Sequence, residues 1–525
     1  MRAELELVAQ AKTGLVHGFR MGAARVWRAI PYAAPPVGAG RFMAPAAPLS
    51  WEDALDGRVF GAVPVQVRQP AAAGGSGRLA MGEDCLTLNV AVPDVDSPGG
   101  HGAQHTDGAR TGGLPVIVWI YGGAFTVGAG ANYPGERLAV AAQAVVVTLN
   151  YRLGALGFLD FSQFSTPERP FESNLGLRDQ IAALEWVRDN IASFGGDPGN
   201  VTVMGESAGA ISVICLMSSP RARGLFHRAI AQSPAPRAVA PRETGAQWAR
   251  EFIGFLGADI GRGEAAAALE NATTEQLLAA SDALALYHQQ ATPGVLVHGP
   301  VVDGDVLPRS PMEVFEAGQS APVPLLIGTN DNEGRLFQMF RVLTREEMLP
   351  TSRRLLDRMF ALTDPGATRR ILAAYPGYPG ARARAQVIGD KIFWAPTIEI
   401  ADAHSRQHPT YMYRFDQSTP RTRLLGATHA TELGFVFGQL GDLTNPLGTS
   451  RAARLTSARM MRLWGRFADE GAPERRWPAY DEQGRATMII DGTWRVEHDP
   501  RGYRHRAWAG FRSRFSETPN ASTRV

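Results

Sequence analysis

The stretch Val201-Thr-Val-Met-Gly-Glu-Ser-Ala-Gly-Ala-Ile-Ser-Val-Ile-Cys-Leu-Met217 decides how this chain is read. Val201 to Met204 is a short β-branched apolar run, which suits a buried strand, and Ala210 to Met217 is a helical run. Between them, Gly205-Glu206-Ser207-Ala208-Gly209 matches G-x-S-x-G in the context that the pattern requires, after a strand and before a helix. A side chain at either glycine would clash in so sharp a turn, so the glycines leave the Ser207 hydroxyl projecting above the sheet. The helix starts at that hydroxyl, where its free N–H groups and dipole favour negative charge. Ser207 is therefore a candidate nucleophile.

Ahead of this unit, Ile181, Leu184, Val187 and Ile191 recur at three- and four-residue intervals, with Arg188 and Asp189 on another face. They predict an amphipathic helix from Asp179 to Ile191, stopped by Phe194-Gly-Gly-Asp-Pro-Gly-Asn. Further short apolar runs predict strands at Leu88 to Val92, Val116 to Tyr121, Ala144 to Leu149, Ala229 to Gln232, Leu325 to Ile327 and Tyr411 to Tyr413. Strands alternating with helical segments give an α/β class, with a large, mostly parallel central sheet and helices on both faces. Ala246 to Leu256, Glu264 to Leu286 and Ser352 to Tyr375 read as helical insertions that cap the sheet, in blocks at 240–290 and 335–400. Pro93 to Gly113 is glycine-rich without apolar periodicity and reads as a flexible exposed loop. Residues 1–525 are expected to form a single domain.

Composition excludes several classes. With 45% hydrophobic and 20% charged residues over 525 positions, the chain buries a large core and is neither disordered nor fibrous. Its 53 basic and 51 acidic residues are interspersed, which argues against nucleic acid as a partner. The basic residues are almost all arginine; Lys12 and Lys391 are the lysines. The start, MRAELELVAQAKTG, is acidic where a secretory signal would be apolar, and no run of about 20 apolar residues occurs. A soluble, cytoplasmic form without a membrane anchor is expected. Two cysteines, Cys85 and Cys215, rule out a disulfide framework and are expected to be buried free thiols.

A second element bears on chemistry. Trp119-Ile-Tyr-Gly-Gly-Ala-Phe follows a predicted strand, and Gly122 and Gly123 allow backbone N–H groups to turn inward instead of pairing in a ladder. Such donors stabilise the oxyanion of a tetrahedral intermediate, each worth about 3 kcal/mol. The segment also reads as an ordinary glycine turn.

These motifs, with Ile30-Pro-Tyr-Ala-Ala-Pro-Pro-Val-Gly, Arg41-Phe, Glu83-Asp-Cys-Leu-Thr-Leu-Asn, Asn150-Tyr-Arg-Leu-Gly-Ala-Leu-Gly-Phe and Asn174-Leu-Gly-Leu-Arg-Asp-Gln, resemble the type-B carboxylesterase and cholinesterase family. The resemblance covers most of the chain and implies the α/β-hydrolase fold. It implies Glu333, in Gly328-Thr-Asn-Asp-Asn-Glu-Gly, as the carboxylate that orients a histidine. It implies His429, in Gly426-Ala-Thr-His-Ala-Thr-Glu-Leu ahead of Phe435-Val-Phe-Gly, as general base. The order Ser, Glu, His is that of α/β-hydrolases. Carried over by position, the oxyanion-hole donors are the N–H groups of Gly123, Ala124 and Ala208. The chain departs from the family in having Tyr121 where many members have histidine, and Ala124 where they have a third glycine. Neither change removes an N–H. The family's cysteine at Cys85 often pairs with one a few tens of residues away, whereas the other cysteine here is Cys215. No tryptophan occurs from Val67 to Gly82, so an aromatic cage for choline is not visible and choline esters are not expected.

Read from the residues themselves, Asp331, Asp303 and Asp305 compete with Glu333, because any carboxylate at a strand end could reach a histidine. Glu206 and Glu432 are either structural hydrogen-bonding groups or electrostatic ones. Asp179 and Arg178 read as solvated or salt-bridged. Phe125, Thr126 and Phe435 either line an acyl pocket or belong to the core. The resemblance implies hydrolysis of a small-molecule carboxylic ester through an acyl-enzyme, with no metal or cofactor. An amide or carbamate hydrolase with the same triad, and a non-catalytic binding module of the same fold, are the alternatives.

Overall fold

A strand flanked by helices on both faces has no solvent side, and the runs Val145–Leu149 and Leu325–Asn330 are buried at every position in the computed structural model. The structure describes residues 7–67, 79–94, 112–345, 347–363, 365–418, 425–440 and 450–511. Among these, β1 (Leu7–Ala11), β2 (Gly14–Met21), β3 (Ala24–Pro31), β4 (Leu55–Asp56), β5 (Thr87–Pro93), β6 (Leu114–Ile120), β7 (Val145–Leu149), β8 (Gly196–Glu206), β9 (Arg228–Gln232), β10 (Leu325–Asn330), β11 (Thr410–Phe415), β12 (Ala486–Ile490) and β13 (Arg495–His498) form one sheet. Their order is β1-β2-β3-β5-β7-β6-β8-β9-β10-β11-β12-β13, with β4 on β2. From β7 to β12 all neighbours are parallel, and the outer pairs are antiparallel apart from the short β2–β4 pair, which is parallel. This is the α/β-hydrolase arrangement, as expected.

Every predicted strand is present. The strands missing from the sequence reading are the outer ones, β1 to β4, β12 and β13. The edge strand β13 is partly or wholly exposed throughout and β2 is buried only at Val16, so neither has the apolar run that marks a buried strand, whereas β12 is buried at all its positions and was missed as a short run.

The amphipathic helix spans Leu175–Asn190, and the helix after the turn spans Ala208–Ser218. The stretch read as one helix from Glu264 to Leu286 is two, Arg262–Asn271 and Thr274–Ala291. Thr273 starts the second by accepting from the Gln276 amide, and the Gln276 side chain answers on the Thr273 amide. Likewise, Ser352 to Tyr375 divides into Arg353–Thr363 and Pro365–Ala373. Of the glycine-rich 93–113 loop, residues 95–111 lie outside the described residues, as do 68–78 of the tryptophan-free segment.

Strand order places the site. β6 lies between β7 and β8, so the connection that leaves β6 for β7 and the one that leaves β8 for β9 run to opposite sides of the sheet. A crevice opens at the carboxyl ends of strands where the order reverses in this way.

Candidate active site

Each chemistry-bearing residue follows the carboxyl end of a central strand. Ser207 follows β8, with φ 54° and ψ −120°, a backbone conformation costly for a residue with a Cβ. It is held by its own amide, which donates to the Gln232 carbonyl at 2.9 Å. A Cβ on Gly205 would stand well inside contact distance of the Gly209 carbonyl, and one on Gly209 would strike the Ile120 carbonyl. The two glycines therefore let the turn close against β6, as the sequence implied.

Glu333 follows β10 and His429 follows β11. The loops that carry them are tied together: the Asn332 amide donates to the Ala427 carbonyl at 2.9 Å, and Asn332 and Thr428 form a parallel bridge. His429 Nδ1 lies 2.6 Å from Glu333 Oε2, and Nε2 lies 2.9 Å from Ser207 Oγ. A serine, an imidazole and a carboxylate thus stand in one hydrogen-bonded line. Three carboxylates that competed with Glu333 are engaged elsewhere. Asp303 accepts from Ser173 Oγ and Asn174 Nδ2, both at 2.7 Å. Asp305 pairs with Arg178 and Arg221, and Asp331 with Arg501.

The glycine loop after β6 abuts the serine. A Cβ on Gly122 would come within 2.9 Å of Ser207 Cβ. Gly123, Ala124 and Phe125 all have positive φ, at 118°, 54° and 60°, and no described backbone acceptor takes the amides of Gly123 and Ala124. Ala208 is the first residue of its helix, where an amide has no partner within the helix. Among the described residues, no acceptor takes any of the three amides expected as oxyanion donors, and the loop that carries two of them abuts Ser207 at Gly122. Ala124, standing for the family's third glycine, holds its positive φ despite a Cβ, at a cost of about 1 kcal/mol or more.

Several supporting residues were missed by the sequence reading. Ser233, directly after β9, donates from Oγ to Glu333 Oε1 at 2.6 Å, and the Asn330 amide donates to the same oxygen at 2.6 Å. The available signal was positional: Ser233 follows a predicted strand beside the nucleophile strand. The rings of Phe393 and Phe337, 4.5 and 5.3 Å from the imidazole centroid, pack on His429, and no local sequence signal marks them.

Two further carboxylates are buried here. Glu432 accepts from Gln232 Nε2 at 3.1 Å and from Asn330 Nδ2. Glu206 Oε1 lies 3.3 Å from His429 Nε2 but has no hydrogen-bond partner among the described residues. Burial would push the imidazole down, yet Glu206, Glu333 and Glu432 outweigh it and raise His429 to about 9. Burial lifts Glu206 to about 8 and also raises Glu432.

Other readings resolve into packing. Phe125 is fully buried and meets Phe158 at 4.3 Å, and Phe435 is fully buried against Phe415 at 5.0 Å, so both are core residues. Thr126 keeps partial exposure. Asp179 is not solvated: it is wholly buried and pairs with Arg152, while Arg178 pairs with Asp305. Cys85 and Cys215 are buried free thiols.

Known proteins resemble this chain over most of its length. The model of the carboxylesterase family matches residues 6–508. The para-nitrobenzyl esterase of Bacillus subtilis (strain 168) is 37% identical over 494 residues, covering 93% of this chain and 95% of that protein. The cocaine esterase of Homo sapiens is 32% identical over 486 residues, 86% of this chain and 81% of its own length. Among solved structures, a PNB esterase superposes with a TM-score of 0.82 at 36% identity, covering 96% of this chain and 99% of its own. A thermophilic PNB esterase gives a TM-score of 0.84 at 35% identity over the same shares. No helix among the described residues is long and apolar enough to cross a membrane. The chain belongs to the carboxylesterase family and is a serine hydrolase of carboxylic esters.

Proposed function

We propose that Ser207 is the nucleophile of this ester hydrolase, His429 its general base, Glu333 the carboxylate that orients the imidazole, and the amides of Gly123, Ala124 and Ala208 its oxyanion hole. The observation that carries the assignment is the line Ser207 Oγ–His429 Nε2, His429 Nδ1–Glu333 Oε2, at 2.9 and 2.6 Å. Glu333 holds the proton on Nδ1, which leaves the Nε2 lone pair facing the hydroxyl. As Oγ attacks the ester carbonyl, its proton passes to Nε2, and the carbonyl oxygen takes the developing charge beside the three amides. Collapse expels the alcohol, protonated from Nε2, and leaves an acyl-enzyme. Water, deprotonated by the same nitrogen, attacks it and frees the acid. An alkoxide leaves with less help than an amine, so esters are favoured over amides.

The same reading makes residues 1–525 one catalytic unit, with the helical insertions at 240–290 and 335–400 as its cap. It makes small-molecule esters the substrates, without nucleic acid, and places the enzyme in the cytoplasm, where two unpaired thiols are stable. Fractionation of the producing cells checks the last point. The main test is a p-nitrophenyl ester series from acetate to decanoate on the wild type and on Ser207→Ala. Turnover should fall by about 10⁴-fold or more in the variant. Retained turnover would remove Ser207 as nucleophile, and a preference for a matched anilide would remove the ester assignment.

A further inference from the structure

Charge is unevenly placed along this chain. Residues 335–384 hold ten arginines and four acidic residues, a net +6, whereas the whole chain carries +2, so the remainder is net −4. Most of this positive charge gathers at one corner of the cap. The helix Gly334–Thr344 ends there, and its Arg341 Nε donates to Thr351 Oγ1 at 3.1 Å. Glu347 folds the following loop back by accepting from the amides of Thr351 and Ser352, which sets the start of the helix Arg353–Thr363 beside the end of the first. A third helix, Ala381–Gly389, closes the corner: Gln338 donates to the Ala381 carbonyl and Arg384 to the Thr351 carbonyl, both at 2.8 Å. Arg341, Arg345, Arg353, Arg354, Arg382 and Arg384 therefore cluster about one short loop.

The carboxylates of the segment do not balance them. Glu347 is spent on backbone amides, and Asp357 faces Arg353 at 3.5 Å. Glu346 and Asp364 lie outside the described residues. Among the described residues, no carboxylate pairs with Arg345, Arg354 or Arg382, and Arg354 donates to the amide oxygen of Gln290 at 2.8 Å. The same loop carries apolar side chains that packing leaves in water: Val342, Leu343 and Met348 are 69, 72 and 49% exposed. The end of the helix Thr274–Ala291 lies alongside, since Gln289 donates to the Glu347 carbonyl at 2.5 Å, and it adds exposed Leu286 and Tyr287. Exposed apolar residues scattered singly are ordinary, but these five stand at one corner among arginines.

We propose that this corner docks the protein peripherally on an anionic lipid surface. Aliphatic tips among long basic side chains match the boundary of such a bilayer, where the tips enter the acyl layer and the guanidinium groups meet phosphates. A second copy seated here about a two-fold axis would bring like charge onto like. Nucleic acid would engage the arginines and leave the aliphatic side chains in water. The helix that ends in Val342 and Leu343 begins directly after Glu333, and its Phe337 ring packs 5.3 Å from His429, so the docked surface is continuous with the wall of the active site. The proposal goes beyond the hydrolase reading and is tested without turnover.

Cosedimentation of the full chain with vesicles supplies that test. Phosphatidylcholine vesicles that contain phosphatidylglycerol should bind the protein about tenfold or more tightly than phosphatidylcholine alone, and about 0.5 M salt should weaken that binding. Arg345→Glu combined with Arg354→Glu, and separately Leu343→Asp, should each weaken it about tenfold or more. Leu49→Asp, similarly exposed at 76% but outside this segment, should leave it unchanged. Hydrolysis of p-nitrophenyl butyrate in solution should stay at the wild-type level in every variant, which shows that each is folded; if Leu343→Asp does not fold, the arginine pair decides. No preference for the anionic vesicles overturns the proposal, and so does equal binding by the wild type and Leu343→Asp. A dimer that Leu343→Asp splits, without vesicle binding, would give the corner to a second copy. A DNA oligonucleotide bound in place of vesicles would give it to nucleic acid, and either result overturns the proposal.

Discussion

Asp179 and Glu206 are buried to the same degree, 0% and 3% exposed, but their surroundings differ in kind. Asp179 is fully answered. Both of its oxygens take the Arg152 guanidinium, at 2.6 and 2.8 Å, and the Arg152 amide adds a third bond at 3.0 Å. Glu206 has one oxygen without a hydrogen bond, and it shares its surroundings with Glu333 and Glu432. Where charge is cancelled on the spot, the group fastens elements: here the segment after β7 to the helix Leu175–Asn190, with Arg152 also reaching the Met43 carbonyl at 2.8 Å. Where negative charge is left over, it is aimed at the imidazole that must become positive during the reaction.

The largest expected effect falls within the catalytic group itself. Glu333→Gln keeps shape and volume but removes the charge that holds the Nδ1 proton, so a large share of His429 would present the wrong tautomer to Ser207. By analogy with other triads, kcat should fall about 10⁴-fold. Steady-state kinetics on p-nitrophenyl butyrate measures this, and a loss below tenfold would show that the carboxylate does not act through orientation.

Next comes the framework pair. Arg152→Met leaves Asp179 as a bare buried charge and should cost about 3–5 kcal/mol of stability, read by urea unfolding. Arg152→Met combined with Asp179→Leu should recover most of that, because burying neither charge is cheaper than burying one. If the double variant is as unstable as the single one, the pair contributes more than mutual neutralisation, and the contrast with Glu206 weakens.

The sequence made one of these two regions readable and hid the other. The Ser207 turn has a local signature, since both glycines and the flanking strand and helix lie within one run of residues. Central strands such as Val145–Leu149 were legible because burial on both faces leaves a continuous apolar run. Glu333 and His429 needed the family resemblance; by chemistry alone Asp303, Asp305 and Asp331 were equal to Glu333, and only spatial engagement with Ser173, Arg178 and Arg501 separates them. Of the two readings open for Asp179, solvated or salt-bridged, the second holds, but its partner, Arg152, is 27 positions away and no local pattern points to it. Ser233, Phe337 and Phe393 act through convergence at the strand ends, which no local pattern encodes. The break at Thr273 had a readable capping signal, but helix-compatible residues on both sides obscured it.

Glu206→Gln carries the smallest expected effect and separates the two regions most sharply. Glu206 lies 3.3 Å from His429 Nε2, and burial brings its own titration near that of the imidazole. The acid limb of the wild-type kcat/KM profile therefore belongs to the pair rather than to one group. His429 is raised above its ordinary value partly by this carboxylate, so removing it must lower the imidazole. The limb should move to lower pH by about 1–3 units and take the shape of a single titration. One unit is about 1.4 kcal/mol, so the step that forms the imidazolium should slow by up to about tenfold per unit at the plateau. Unlike Arg152→Met, the change replaces a carboxyl that is an incompletely bonded buried charge above about pH 8 by a neutral amide, so stability measured there should hold or rise. A limb that stays in place, or a fall in the urea midpoint like that of Arg152→Met, would mean that Glu206 is another structural group and that the leftover charge has no bearing on the reaction.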